Sequence, residues 1–141
     1  MTREIFVDAA AWLALAHSRD AFHQAAVDTF AAVLRRGDYQ VTTNLVAAEA
    51  YILIRQRISH VAGMRFLETL HSSKQIIKVC SDVDTEAVAE AILRRHADQD
   101  FSFTDAVSFA VMRQRNIAEA FSFDHHFLTA GFALVPIIEN R

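Results

Sequence analysis

Glycine, proline and cysteine are almost missing from this 141-residue chain. It has three glycines (Gly37, Gly63, Gly131), one proline (Pro136) and one cysteine (Cys80). So few turn-forming residues argue against sandwiches, propellers and disordered tails, and for long helices joined by short connections. A lone cysteine has no internal disulfide partner, which fits a reducing cytoplasm; Cys80 is read as a small core residue. No apolar run approaches membrane-spanning length, and Met1–Glu4 leads into a strand rather than a signal peptide. A cytoplasmic protein without membrane association is therefore expected.

What is present is apolar bulk: 52% hydrophobic residues, eleven of the chain's residues being phenylalanine. The length is that of one ordinary domain, 1–141, with enough chain for a real core. The net charge of −3 counts at first against a nucleic-acid binder. Acids gathered around a cation, however, stop repelling RNA once it binds. Basic residues come in pairs, Arg35–Arg36, Arg55–Arg57, Arg94–Arg95 and Arg113–Arg115, which also fit solvated helix faces. Net charge decides little.

Residues 5–7 form a short apolar run, read as a buried strand, and Asp8 then caps a helix over 9–17. Asp20 opens a second helix that Gly37 ends. A strand over 39–42 leads to a helix capped by Thr43 or Asn44 and reaching Arg57, then to a helix over 59–70. A third strand over 75–79 precedes a long helix from Asp82 or Asp84 to about His96. Ser102, Phe103, Thr104 and Asp105 make a capping-box-like start to a helix ending near Arg115. A strand over 118–123, a short helix closed by Gly131 and a strand over 132–135 complete the chain. Strands alternating with helices predict a three-layer α/β/α fold around a central, mostly parallel sheet of four to five strands.

Four carboxylates then draw together: Asp8, Glu49, Asp105 and Asp124. In a parallel sheet the strands end at one edge and the returning helices start there, so ligands collect at that edge. Asp8 and Asp124 are expected to follow strands directly, and Asp105 to open a helix at the same edge. Glu49 lies about 7–8 Å along its helix at 1.5 Å per residue, near enough to face the crevice. Each Asp also has a plain reading as a helix cap. Glu49 is harder to read as merely structural: its helix is apolar almost all round, which predicts burial, and a buried Glu needs a partner, the nearest basic residue on the helix being Arg55. Like charges in a dry crevice are costly unless a cation neutralises them, and hard ions such as Mg²⁺ take oxygen ligands.

The segments Ile5-Phe6-Val7-Asp8, Asn44-Leu45-Val46-Ala47-Ala48-Glu49, Phe103-Thr104-Asp105-Ala106 and Ala120-Phe121-Ser122-Phe123-Asp124-His125-His126-Phe127 occur in an order and spacing that resemble the PIN-domain ribonucleases. The nearest likeness within them is to VapC-type toxins of toxin–antitoxin pairs, over essentially the whole chain. The resemblance implies a PIN fold, Mg²⁺ or Mn²⁺ held by Asp8, Glu49, Asp105 and Asp124, and cleavage of RNA. It also implies a small VapB-like antitoxin as partner and a homodimer. Asn44, Thr104 and Ser122 are expected to support the acids from behind. One departure is Ala10, where many relatives carry Ser or Thr.

In this scheme a metal-activated water, not a side chain, attacks the phosphodiester, and RNA shape and unpaired bases set specificity. His125 and His126 are read as supporting residues, because the H-x₃-H spacing of helical zinc sites is missing. His17, His23, His60, His71 and His96 are read as surface or packing residues. Helices over 46–54 and 61–70 carry more apolar residues than one buried face needs, which points to a dimer or a groove for a partner helix. Two rivals remain. A catalytically silent PIN-like binding module would be favoured by Ala or Asn at an acid position, yet all four acids are present. A phosphohydrolase using Asp8 as covalent nucleophile would typically carry a second Asp at position 10, and a lysine near Asp105 or Asp124. Ala10 stands at the first place, and the only lysines are Lys74 and Lys78.

Overall fold

The computed structural model describes residues 3–136. Among these the order is β1 (Glu4–Val7), α1 (Ala9–Ala16), α2 (His23–Arg36), β2 (Tyr39–Thr43), α3 (Asn44–Arg57), α4 (His60–Ser72), β3 (Ile76–Val79), α5 (Val83–Arg95), α6 (Phe103–Gln114), β4 (Glu119–Phe121), α7 (His126–Thr129) and β5 (Ala133–Val135). The sheet runs β3-β2-β1-β4-β5, and every pairing in it is parallel. β1 is the central strand. Its Ile5, Phe6 and Val7 are completely buried, as expected of a strand covered on both faces.

The chain builds outward from β1 to β2 and β3, then returns to lay β4 on the other side of β1. Crossovers between parallel strands are right-handed, so the helices before β3 and those after it cover opposite faces. The packing agrees: α1 touches α2 and α3, and α3 touches α4, while α5 packs on α6. Aromatic rings fill much of the space under α6 and α7. Phe109 meets Phe101 and Phe127 edge-on at 5.1 Å each, and Phe127 lies 6.0 Å from Phe6. Such pairs contribute about 0.5–1.5 kcal/mol each beyond area burial.

Local chemistry sets the element ends. Thr43 caps α3 by accepting the Val46 amide (3.1 Å). Gly37 ends α2 with φ +73°, the left-handed conformation that glycine adopts without strain. Ser102 and Asp105 form the full reciprocal capping box of α6.

Four expectations are corrected. β4 stops at Phe121 rather than at residue 123, because the Ser122 hydroxyl accepts the Asp124 amide (3.0 Å) and folds the chain into a turn. Asp124 therefore neither follows a strand directly nor begins a helix; α7 is a single turn starting at His126. α3 is not buried all round: Val46, Ala47, Ala50 and Ile54 face inward, whereas Glu49 and Ile52 are exposed. Cys80 is exposed, not a core residue. It falls in the link between β3 and α5, where no helix or sheet covers it.

Candidate functional site

The direction of chain growth reverses between β1 and β4, and such a switch point leaves a crevice at the carboxyl edge of the sheet. Asp8 closes β1 on one side of this seam, and its amide donates to the Phe121 carbonyl across it (3.1 Å). Asp8 occupies the N-cap position of α1 but makes no side-chain capping bond. Its carboxylate instead accepts the Ser122 hydroxyl (3.1 Å). Ser122 is fully buried and, through the turn described above, ties Asp8 to the backbone of Asp124.

Asp124 accepts the His126 amide at Oδ1 (2.9 Å), which fixes the entry into α7. Asp105 does two things at once. Its Oδ2 accepts the Ser102 amide (3.0 Å) as the capping box requires, and it also lies 3.0 Å from His126 Nδ1. The same ring nitrogen is 3.4 Å from Asp124 Oδ1. A carboxylate only accepts, so in this bond Nδ1 carries the proton; the nitrogen faces both carboxylates and must shed that proton to ligate a cation held between them. The ring is steadied by an edge-on contact with Phe101.

Oxygens of Asp105 and Asp124 and a ring nitrogen of His126 thus lie within 4.8 Å of one another. One divalent ion with ligand distances of about 2.0–2.6 Å can bridge such a span. The donor set fits: carboxylates suit hard ions, and the imidazole adds affinity for Mn²⁺ and its heavier neighbours. Asp8 and Glu49 stand outside this tight triad yet inside its field. Burial pushes the Asp8 carboxyl up to about 7; the Ala9 amide and Ser122 hydroxyl pull it back, and Asp105 and Glu49 push it further up. Glu49 is also raised, first by partial loss of hydration and then by Asp105 and Asp124. It is nevertheless an exposed residue, so it forms the open rim. Asp8 is the buried floor.

Of the supporting residues expected from sequence, only Ser122 touches the acids. Asn44 accepts the Ser81 amide (2.9 Å) and pins the link after β3. Thr104 enters the network through its carbonyl, which accepts from Ser108. His126 is the residue whose place the sequence did not give. Two adjacent histidines after an acid are a signal, but only the phase of α7 turns His126 inward and leaves His125 exposed.

A parallel five-stranded sheet with acids at this seam is the arrangement of a PIN domain. The family model for the PIN domain matches residues 5–133, and the chain belongs to that family. It is 34% identical over 132 residues to the 23S rRNA-specific endonuclease VapC20 of Mycobacterium tuberculosis, covering 93% of this chain and 97% of that one. The crystal structure of M. tuberculosis VapC20, a sarcin–ricin loop cleaving toxin, superposes with a TM-score of 0.84 over 92% of this chain and 96% of that chain. FitAcB from Neisseria gonorrhoeae shares the fold at a TM-score of 0.62, with 14% identity over 92% of this chain and 95% of that one.

Proposed function

We propose that this protein is a VapC-type toxin, a divalent-metal-dependent endoribonuclease whose substrate is large-subunit ribosomal RNA. The observation that carries the reading is the acid cluster at the β1–β4 seam, in a chain 34% identical over nearly its whole length to a 23S rRNA endonuclease. Asp105, Asp124 and His126 would hold a Mg²⁺ or Mn²⁺ ion, with Asp8 completing the set from below and Glu49 from the rim. Bound there, the ion supplies Lewis-acid activation of water and stabilises negative charge on the phosphate. A bound cation would favour the ionised form of the Asp8 carboxyl, offsetting the penalty of its burial. Ser122 keeps the Asp8 carboxylate and the Asp124 turn in register. His126 orients Asp105 and Asp124 with one ring nitrogen.

No serine, cysteine or lysine is placed in this scheme as a covalent nucleophile. Attack by water leaves a 5′-phosphate and a 3′-hydroxyl; a 2′,3′-cyclic phosphate product would overturn it. Ala10 leaves the first turn of α1 without the hydroxyl many relatives have, and Ser122 supplies one to Asp8 from the turn after β4.

The same reading includes a small antitoxin and a second copy as partners. A groove of about 390 Å³ lined by Trp12, Leu15, Phe30, Ala62 and Phe66 offers an apolar seat between α1, α2 and α4. Ile52, Ile58, Val61 and Met64 add exposed apolar surface on α3, α4 and their link, of the kind that pairs two copies.

The test is cleavage of intact ribosomes and of purified ribosomal RNA with Mg²⁺, Mn²⁺ or EDTA, mapped by primer extension, beside Asp8→Asn. A single metal-dependent cut in the large-subunit RNA, lost in the variant, supports the proposal. A metal-independent cut, or equal activity in Asp8→Asn, overturns it.

A further inference from the structure

Phe22 and Phe123 form a stacked pair in which the outer ring is open to solvent. Their centroids are 4.4 Å apart and the planes differ by 12°. Phe22 is 46% exposed although Phe123 covers one of its faces, so the face turned away is available. Phe123 stands between Ser122, which binds Asp8, and Asp124 itself. With consecutive Cα atoms about 3.8 Å apart, the backbone of Phe123 is immediately beside that of Asp124, and Phe22 joins it through the stacked ring.

The segment that carries Phe22 is held in place. Asp20 Oδ1 accepts the Phe22 amide (2.8 Å), His23 Nδ1 meets the Ala14 carbonyl (2.7 Å), and the Asp20 amide donates to the His17 carbonyl (2.9 Å). An exposed phenylalanine fixed this firmly, with Arg19 exposed in the preceding turn, has the parts of a nucleotide seat: a flat π face for a base and a cation for a phosphate.

We infer that the outer face of Phe22, backed by Phe123, receives an unpaired base of the RNA substrate next to the bond that is cut. The inference rests on the ribonuclease reading above. It gives the enzyme a preference for loops and other unstacked segments, since a base held in a duplex cannot leave its neighbours to lie on the ring.

Phe22→Leu separates stacking from packing, because leucine still covers Phe123 but has no π face. Phe22→Trp keeps the face. On an RNA hairpin cut in its loop, Phe22→Leu should raise KM about tenfold with little change in kcat, and Phe22→Trp should restore the wild-type KM. Equal KM values for Phe22→Leu and wild type overturn the seat while leaving the nuclease reading intact. A second measurement needs no turnover. The Asp8→Asn, Phe22→Trp double variant is titrated in Mg²⁺ with a single-stranded oligoribonucleotide and with an abasic chain of equal length. Quenching of the introduced indole by the base-bearing strand alone supports the seat, even if no RNA is cut; quenching by neither strand, or equally by both, overturns it.

Discussion

Asp8 is where the assembly of the site costs most. Its carboxyl, ordinarily near 3.8, is raised to about 7, chiefly by burial. The folded state therefore holds this proton more tightly than the unfolded chain does. The stabilisation is complete below about 3.8 and disappears as pH rises through 7, a window worth at most about 4 kcal/mol. In EDTA at pH 8, Asp8→Asn should be more stable to urea than wild type, and the advantage should shrink towards pH 4. The same advantage at both pH values would contradict this account. Ser122 has the opposite balance, since its buried hydroxyl donates to Asp8 and accepts from Asp124. Ser122→Ala should lower stability by about 1–3 kcal/mol and activity at least tenfold, read by thermal melting and by initial rates. For His126→Asn, the expected result is a fall in the Mn²⁺-to-Mg²⁺ activity ratio, because imidazole is the donor that distinguishes the two ions; an unchanged ratio removes His126 from the ligand set. The positions of Asp8 and Asp105 were legible because one closes a strand and the other opens a helix whose patterns are plain, whereas Asp124, expected directly after a strand, sits in the turn beyond β4. Glu49 was misread as buried, since neighbouring apolar letters do not reveal which side of a helix is left open.

At the scale of elements, strands and helices declare themselves wherever periodicity is strong, and fail at their ends. β1 and α6 lie close to where apolar spacing and capping residues put them, while α2 ends at Gly37 as read but begins at His23 rather than at Asp20. β4 was drawn two residues too long because Phe121-Ser122-Phe123 alternates like a strand. What stops it is a side-chain bond from residue 122 to the backbone two positions on, which competes locally with the ladder. The end of α2 is set more simply. Gly37 has φ +73° and open space where a Cβ would stand, so Gly37→Ala should cost about 1 kcal/mol from backbone strain alone. Gly37→Asn should cost less, because Asn tolerates the left-handed conformation. Denaturant midpoints of the two variants test this, and equal losses would mean that contacts rather than dihedral strain set the cost.

Across the whole molecule the two edges of the sheet have opposite electrostatic characters. At the amino edge, Arg3 pairs with Glu119, Arg36 with Asp38 and Arg115 with Glu4, so positive and negative charges meet there in matched pairs. At the carboxyl edge the acids gather with His126 and no paired arginine among the described residues. A cation is what this second edge needs, so adding Mn²⁺ should raise the melting temperature and EDTA should reverse it. At a hundredfold excess over Kd the gain is about 2.7 kcal/mol; no shift at millimolar Mn²⁺ would mean that the cluster holds no ion on its own.

The hydrogen bond from Ser122 to Asp8 spans 114 positions of the chain. Two residues so far apart in the sequence must meet before the crevice has a floor. Asp8 and Glu49 are therefore made well before Asp124 and His126, and the crevice stays without its Ser122 support until residue 122 is added. Chains cut short anywhere before residue 122 share that condition. Each such fragment lacks the Ser122 hydroxyl, Asp124 and His126, and with them the cluster that would hold the cation.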